Sequence, residues 1–279
     1  MALVPANTPQ DPTLALRHRL SVFNLTPEQL AALREGIAKM QAVRDNRGFA
    51  ALAGIHGWPQ YRCQHTQEGG PQATLFLPWH RAYLYEFELA LQEQNAQARL
   101  CWWDWPASRE AGVPPAYAEE AIDGQPNPLA SGAMPTDVPN RPSDWKAHTV
   151  RTPAKPAELP TAGEVEEVLA KSDYFDFELA LETQLHNAVH GWVGGSMSDI
   201  TTAAYDPLFW AHHTMVDRLW SLWQSQHASP GPPPDTYATS LGFSAQLTVG
   251  SVLDTASLGY DYAASIQHVE VVAGAGGGG

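Results

Sequence analysis

Histidines in two clusters are the residues most able to do chemistry in this 279-residue chain. His186-Asn-Ala-Val-His190 is followed by Asp206-Pro-Leu-Phe-Trp-Ala-His-His-Thr-Met-Val-Asp217-Arg-Leu-Trp220, which supplies a third imidazole from His212 or His213. Upstream, His56, His65 and His80 precede or fall within Phe76-Leu-Pro-Trp-His-Arg-Ala-Tyr-Leu-Tyr-Glu-Phe-Glu88. Neutral imidazoles with no carboxylate among them suit copper, zinc or nickel far better than magnesium or calcium. Paired triads imply paired metals. Residues four apart on an α-helix project from one face a turn apart, so His186 and His190 can hold one ion. A zinc protease needs Glu directly after the first His as general base, and Asn187 stands there instead. Di-iron bundles use Glu-x-x-His pairs, and none of the 11 histidines has Glu three residues before it.

The elements that must position these side chains read as helices. Thr26-Pro-Glu-Gln is a helix start with Pro at the first helical position, and Leu30, Leu33, Ile37, Met40 and Val43 follow at three- and four-residue steps. A second helix is expected from about Trp79 to Gln94, with His80 in its first turn. Leu84, Phe87 and Leu91 form its apolar stripe, and Glu86 and Glu93 face water. Phe175 to Val189 keeps helical spacing through Leu179, Glu182, Leu185 and His186, and Pro207 to Trp223 repeats it. Between Pro106 and Pro160 the chain is rich in Pro, Gly, Ser and Asn without periodicity, which predicts long irregular loops laid over a helical centre.

Composition bounds the setting. A 44% apolar content supports a substantial core and favours one domain. With 16 basic and 30 acidic residues the formal charge is −14, a field that repels phosphate backbones, so nucleic acid is not an expected partner. No apolar run approaches the ~20 residues that cross a bilayer. Met1-Ala-Leu-Val-Pro lacks the basic-then-apolar order of a signal peptide, which favours a cytoplasmic location. Cys63 and Cys101 allow at most one disulfide and leave the redox compartment open.

Phe76-Leu-Pro-Trp-His-Arg and Asp206-Pro-Leu-Phe-Trp-Ala-His-His carry a family likeness. From roughly Asn24 to Tyr262 the chain resembles the type-3 copper proteins, namely tyrosinases, catechol oxidases and molluscan-type haemocyanin domains, and above all the core domain of bacterial and fungal tyrosinases. That resemblance implies a mainly α fold: a four-helix bundle holding a dicopper site, surrounded by long irregular loops and a few short strands. It implies that His56, His65 and His80 hold one copper ion and His186, His190 and His213 the other, with O2 as co-substrate. Consecutive helical residues point about 100° apart, so His212 is not expected to face the same ion as His213, and the resemblance selects His213. His65 precedes His80 by a longer stretch than is usual in tyrosinases, which an insertion around Thr66 to Gln72 accounts for.

Cys63-Gln64-His65 resembles the fungal and haemocyanin arrangement in which the cysteine sulfur is bonded to a carbon of the ligand imidazole. Asp217, one turn beyond His213, is a candidate acceptor behind a ligand ring. Phe209 and Phe76 are expected to pack beside the ligands, and Cys101 in the core. His18, His148, His227 and His268 receive no role. Tyr260-Asp261-Tyr262 resembles the motif that closes the core domain of plant and fungal members. A single domain over residues 1–265 is expected, then a Gly-rich, disordered tail over 266–279, with no further domain to cover the site.

The activity implied is ortho-hydroxylation of small phenols and oxidation of o-diphenols to o-quinones. Glu182 and Asn187, bordering His186, are the candidate proton-accepting pair, because a phenol with a pKa of about 10 binds copper well only as phenolate. Gly191 leaves the entrance roomy. A catechol oxidase or o-aminophenol oxidase without monophenolase action, and a haemocyanin-like oxygen carrier, share these ligands. The sequence identifies neither the natural phenol nor a copper-delivery protein.

Overall fold

Capping chemistry fixes where the helices begin. The computed structural model describes residues 16–64, 75–136, 141, 143, 145–227 and 231–262. His65 and the expected tail over 266–279 therefore lie outside the described residues. Helix α1, Pro27–Ala42, opens with a capping box: Thr26 accepts the Gln29 N–H, and the Gln29 side chain accepts the Thr26 N–H. Helix α2, Phe49–His56, has no counterpart in the sequence reading, because a short segment buried on nearly every side shows no amphipathic period.

Helix α3, Phe76–Gln94, starts three residues before the expected Trp79, so His80 lies just beyond its first turn. Its N-terminus is capped from outside, by the Glu178 carboxylate accepting the Leu77 N–H. The expectation that Glu86 faces water is corrected: it is buried, with a nitrogen of Arg47, in the segment joining α1 to α2, 3.4 Å away as its counter-charge. Glu93 makes the second, more exposed contact to Arg47.

The region from 106 to 160 is irregular as expected, holding a four-residue helix α4, Pro115–Ala118, and a small hairpin of β2, Ala121–Ile122, with β3, Gln125–Pro126. Helix α5, Ala162–Leu169, follows a second capping box between Thr161 and Glu164. Next comes one continuous rod: α6, Tyr174–Ala180, then a π-helical turn, Leu181–His186, then α7, Asn187–Val193. The rod ends at Gly194, whose φ of 64° is the left-handed conformation that favours glycine. Helix α8, Pro207–Gln226, has Asp206 as N-cap and Pro207 as first residue.

The core lies between α2, α3, the α6–α7 rod and α8. Trp210 stacks on Phe87 and meets Phe49 edge-on, so one indole joins three helices. Phe49 and Phe87 are fully buried, and each contributes about 1.5–3 kcal/mol by leaving water. Outside the bundle, β1, Arg17–Arg19, pairs in parallel with β4, Tyr260–Tyr262, which ties the two ends of the described chain together.

Candidate metal centre

Each bundle element delivers imidazoles to one buried centre. His56 ends α2, His80 rides on α3, His186 and His190 span the π turn and α7, and His213 sits on α8. His56, His80, His186 and His213 are all buried, and His190 is half-buried.

Backbone and side-chain oxygens orient the rings. His80 Nδ1 donates to the Phe76 carbonyl at 2.7 Å, and His190 Nδ1 donates to the Met197 carbonyl at 2.7 Å. His186 Nδ1 stands 2.9 Å from the Asn187 Oδ1. A carbonyl can only accept, so these bonds put the ring proton on Nδ1 and leave Nε2 as the donor to a metal. His190 Nε2 and His213 Nε2 are 3.3 Å apart. Two nitrogens at about 2.0–2.1 Å from one tetrahedral ion would be separated by about that distance. Burial, reinforced by neighbouring imidazoles, holds His213 well below the ordinary histidine pKa, so it is neutral and able to ligate at pH 7.

Among the described residues, which do not include His65, two donor groups emerge. One nitrogen each from His56, His80 and His213 lie within 4.8 Å of one another, as do nitrogens of His186, His190, His212 and His213. His213 stacks on His80 at 4.5 Å between ring centres, which puts it at the junction of the groups. The all-imidazole donor set, buried and oriented from behind, fits copper or zinc and offers no oxygen cage for magnesium or calcium.

Cys63 is buried, and its sulfur lies 3.1 Å from His56 Nε2 and 3.6 Å from His80 Nε2. Phe209 is fully buried with its ring 4.8 Å from that of His56 and 4.1 Å from that of His213, so it packs against donors of both groups. Phe76 packs in the same way against His80 and His186. Cys101 is a core residue beside Tyr117, and burial pushes its thiol up to about 11.

Asp217 does not stand behind a ligand ring. It accepts from Arg81 Nε at 2.5 Å, Arg19 at 3.2 Å, Tyr260 Oη at 2.8 Å and Tyr262 Oη at 2.6 Å. Burial pushes its carboxyl up, but the Arg81 and Arg19 guanidiniums outweigh this and hold it below the ordinary carboxylate value. Its reach is explained by its place on α8, where it faces Arg81, the neighbour of His80, and the β1–β4 pair.

Glu182 is buried on the π turn, whereas Asn187 is exposed where it follows His186. The π turn inserts an extra residue, and the Asn187 N–H bonds to the Glu182 carbonyl five residues back. Such bulges recur at functional sites because they re-aim side chains. Sequence reasoning missed this, along with Met197 and Glu178. Met197 acts through its carbonyl, which leaves no trace in residue type. Glu178 acts at a distance of 101 positions in the chain.

A cavity of about 280 Å³ opens onto the imidazoles of His56, His186 and His190, with Asn187, Gly191, Met197 and Ile200 at its walls. It is small for a ligand pocket, at the size of a compact organic molecule.

Residues 46–226 match the family described as the common central domain of tyrosinase, and the chain belongs to that family of type-3 copper proteins. Among its relatives, the tyrosinase of Streptomyces glaucescens is 36% identical over 189 residues, covering 59% of this chain and 68% of that one. The A-type haemocyanin of Enteroctopus dofleini, units Ode to Odg, is 32% identical over 228 residues, 78% of this chain but only 18% of that long polypeptide. In three dimensions a functional unit of octopus haemocyanin aligns with a TM-score of 0.75 at 28% identity, covering 90% of this chain and 69% of that one. The tyrosinase of Burkholderia thailandensis shares the fold, with a TM-score of 0.70 at 22% identity over 91% of this chain and 75% of its own. No described helix is long and apolar enough to cross a membrane.

Proposed function

We propose that this protein is a copper-dependent phenol oxidase that ortho-hydroxylates monophenols and oxidises o-diphenols to o-quinones with O2. His56, His65 and His80 would hold one copper ion, and His186, His190 and His213 the other. A bound copper pair supplies the activation of dioxygen, chemistry that side chains alone cannot provide. The observation that carries the reading is the cavity of about 280 Å³, which reaches the imidazoles from the exposed side of α7.

The chain's own part is to admit, orient and deprotonate the phenol. Met197 and Ile200 give apolar surface for a ring, and Gly191 has open space where a side chain would begin. Asn187 Oδ1 is engaged with His186, so its amide N–H groups are left to hold a water at the cavity wall. Through that water the Glu182 carboxylate takes the phenolic proton, which lets the substrate bind as phenolate; a positioned base of this kind is worth roughly 10²–10⁴ in rate. Glu178 is a poorer candidate for the base. Burial pushes it up to about 8, and it is committed to the Leu77 N–H and the Tyr174 hydroxyl.

Likeness to octopus haemocyanin favours a second reading, an oxygen carrier. Oxygen uptake and product formation by the copper-loaded protein, given a monophenol and its o-diphenol, separate the two. Turnover of both phenols supports the oxidase, turnover of the diphenol alone supports a catechol oxidase, and reversible oxygen binding without product overturns both enzyme readings.

A further inference from the structure

The cavity over the imidazoles carries no positively charged side chain on its described wall. Beyond the imidazoles that wall is Asn187, Gly191, Met197, Ser198, Ile200 and Ala203, with no Lys or Arg among them. The segment 65–74, between Gln64 and Leu75, contains Glu68 and likewise no Lys or Arg. Met197 and Ala203 are buried, whereas Ser198 and Ile200 are exposed, so these two stand where the cavity meets water. Between them in the chain lies Asp199, also exposed. Its Oδ1 accepts the Thr201 N–H at 2.8 Å and the Thr201 hydroxyl at 2.7 Å, which fixes a carboxylate on the rim loop.

These features act on whatever group a phenol carries opposite its hydroxyl. With the hydroxyl at the metal-binding imidazoles, that group lies toward the exposed rim. A bound metal pair puts its positive charge at the hydroxyl end, where it meets the phenolate oxygen. The rim has the opposite sign. An uncharged arm gains apolar contact with Met197 and Ile200. A carboxylate arm loses part of its water shell with no guanidinium or ammonium on the described wall to replace it. Repulsion from Asp199, within a chain of formal charge −14, disfavours it further. An ammonium arm loses water in the same way but meets a favourable field.

We propose that this cavity selects phenols by the sign of charge on the para substituent: uncharged and ammonium-bearing phenols enter, carboxylate-bearing phenols are turned away, and Asp199 sets the sign at the rim. This rests on the phenol-binding part of the proposed function and adds to it the class of substrate.

Para-propylphenol, tyramine and para-hydroxyphenylpropanoate carry arms of nearly one size that are neutral, positive and negative. Each is titrated calorimetrically into the copper-loaded protein under argon in low salt, and its turnover is then measured in air. Affinity for tyramine should exceed that for the propanoate by about tenfold, a gap that narrows as salt screens the rim. Asp199→Asn keeps an amide oxygen to accept from Thr201 but removes the charge, and should cut the tyramine-to-propanoate ratio by about threefold, the size of one exposed ion pair. If that variant does not fold, Ser198→Arg places a cation on the same rim and should cut the ratio at least as far. Equal affinities for the two charged phenols in the wild type, or a ratio that the folded variant leaves unchanged, would overturn the proposal. Binding of none of the three overturns it together with the phenol site. Binding in the expected order without oxidation of any of them refutes the oxidase reading alone.

Discussion

Glu178 Oε1 accepts the backbone N–H of Leu77 at 3.0 Å, and this bond joins the two halves of the metal centre. Leu77 opens the helix that carries His80, and Glu178 stands on the rod that carries His186 and His190. The Tyr174 hydroxyl donates to the same oxygen at 2.9 Å, and burial pushes the Glu178 carboxyl up to about 8. In the unfolded chain the group titrates near 4.5. The folded state therefore holds a proton that the unfolded state has released between those values. Stability from this group is fully present below about 4.5, declines as pH rises toward about 8, and levels off above it. Glu178→Gln removes that decline, so its urea midpoint should gain on wild type as pH rises from 5 to 8, at up to about 1.4 kcal/mol per pH unit. Parallel pH curves for the two proteins would refute the shifted titration.

Asp217 gathers Arg19, Arg81, Tyr260 and Tyr262 onto one carboxylate. Asp217→Ala leaves two buried guanidiniums short of their counter-charge and should lose about 3–5 kcal/mol in urea unfolding. Because its pKa is depressed on folding, the contribution of Asp217 is present above its ordinary value of 3.8 and lost as pH falls below it. Wild type should accordingly lose its advantage over Asp217→Asn under acid, and a constant difference down to pH 2 would contradict this.

His190→Ala and His213→Ala should each abolish phenol oxidation in the copper-loaded protein while keeping the helical circular dichroism signal. Both rings are positioned by a bundle whose aromatic core, built on Phe49, Phe87 and Trp210, they do not form. Full activity in His213→Ala would remove that residue from the ligand set.

Glu182→Gln and Asn187→Ala should lower monophenol turnover by roughly 10²-fold or more while sparing the o-diphenol, whose oxidation depends less on a positioned base. Loss of both activities in equal proportion would make these residues structural. At Gly191 an added Cβ meets nothing within 4 Å. Gly191→Phe should therefore fold normally yet narrow the cavity and raise KM for bulky phenols, with little change for the smallest.

Cys63 and His65 should be joined in the mature protein. Dioxygen at the copper pair would accept the two electrons and two protons released when the Cys63 S–H and a His65 ring C–H give way to an S–C bond. Peptide mapping should then find one crosslinked fragment two hydrogens lighter than its parts. Quantitative alkylation of Cys63 in active protein would exclude the bond.

The sequence by itself determined the local features of this protein. Periodic apolar stripes gave α1, α3, the α6–α7 rod and α8, and the His-x-x-x-His spacing put His186 and His190 on one face, because both signals depend on residues within a turn or two of each other. Pro, Gly and polar runs likewise marked the irregular cover from 106 to 160. Tertiary structure alone decided what depends on distant partners: that Asp217 serves a buried charge cluster, that Glu86 is covered, and that Glu178 caps the helix of His80. Those outcomes are set by how helices remote in sequence pack on one another, and no periodicity within a single helix encodes which side chain its neighbour will bring opposite.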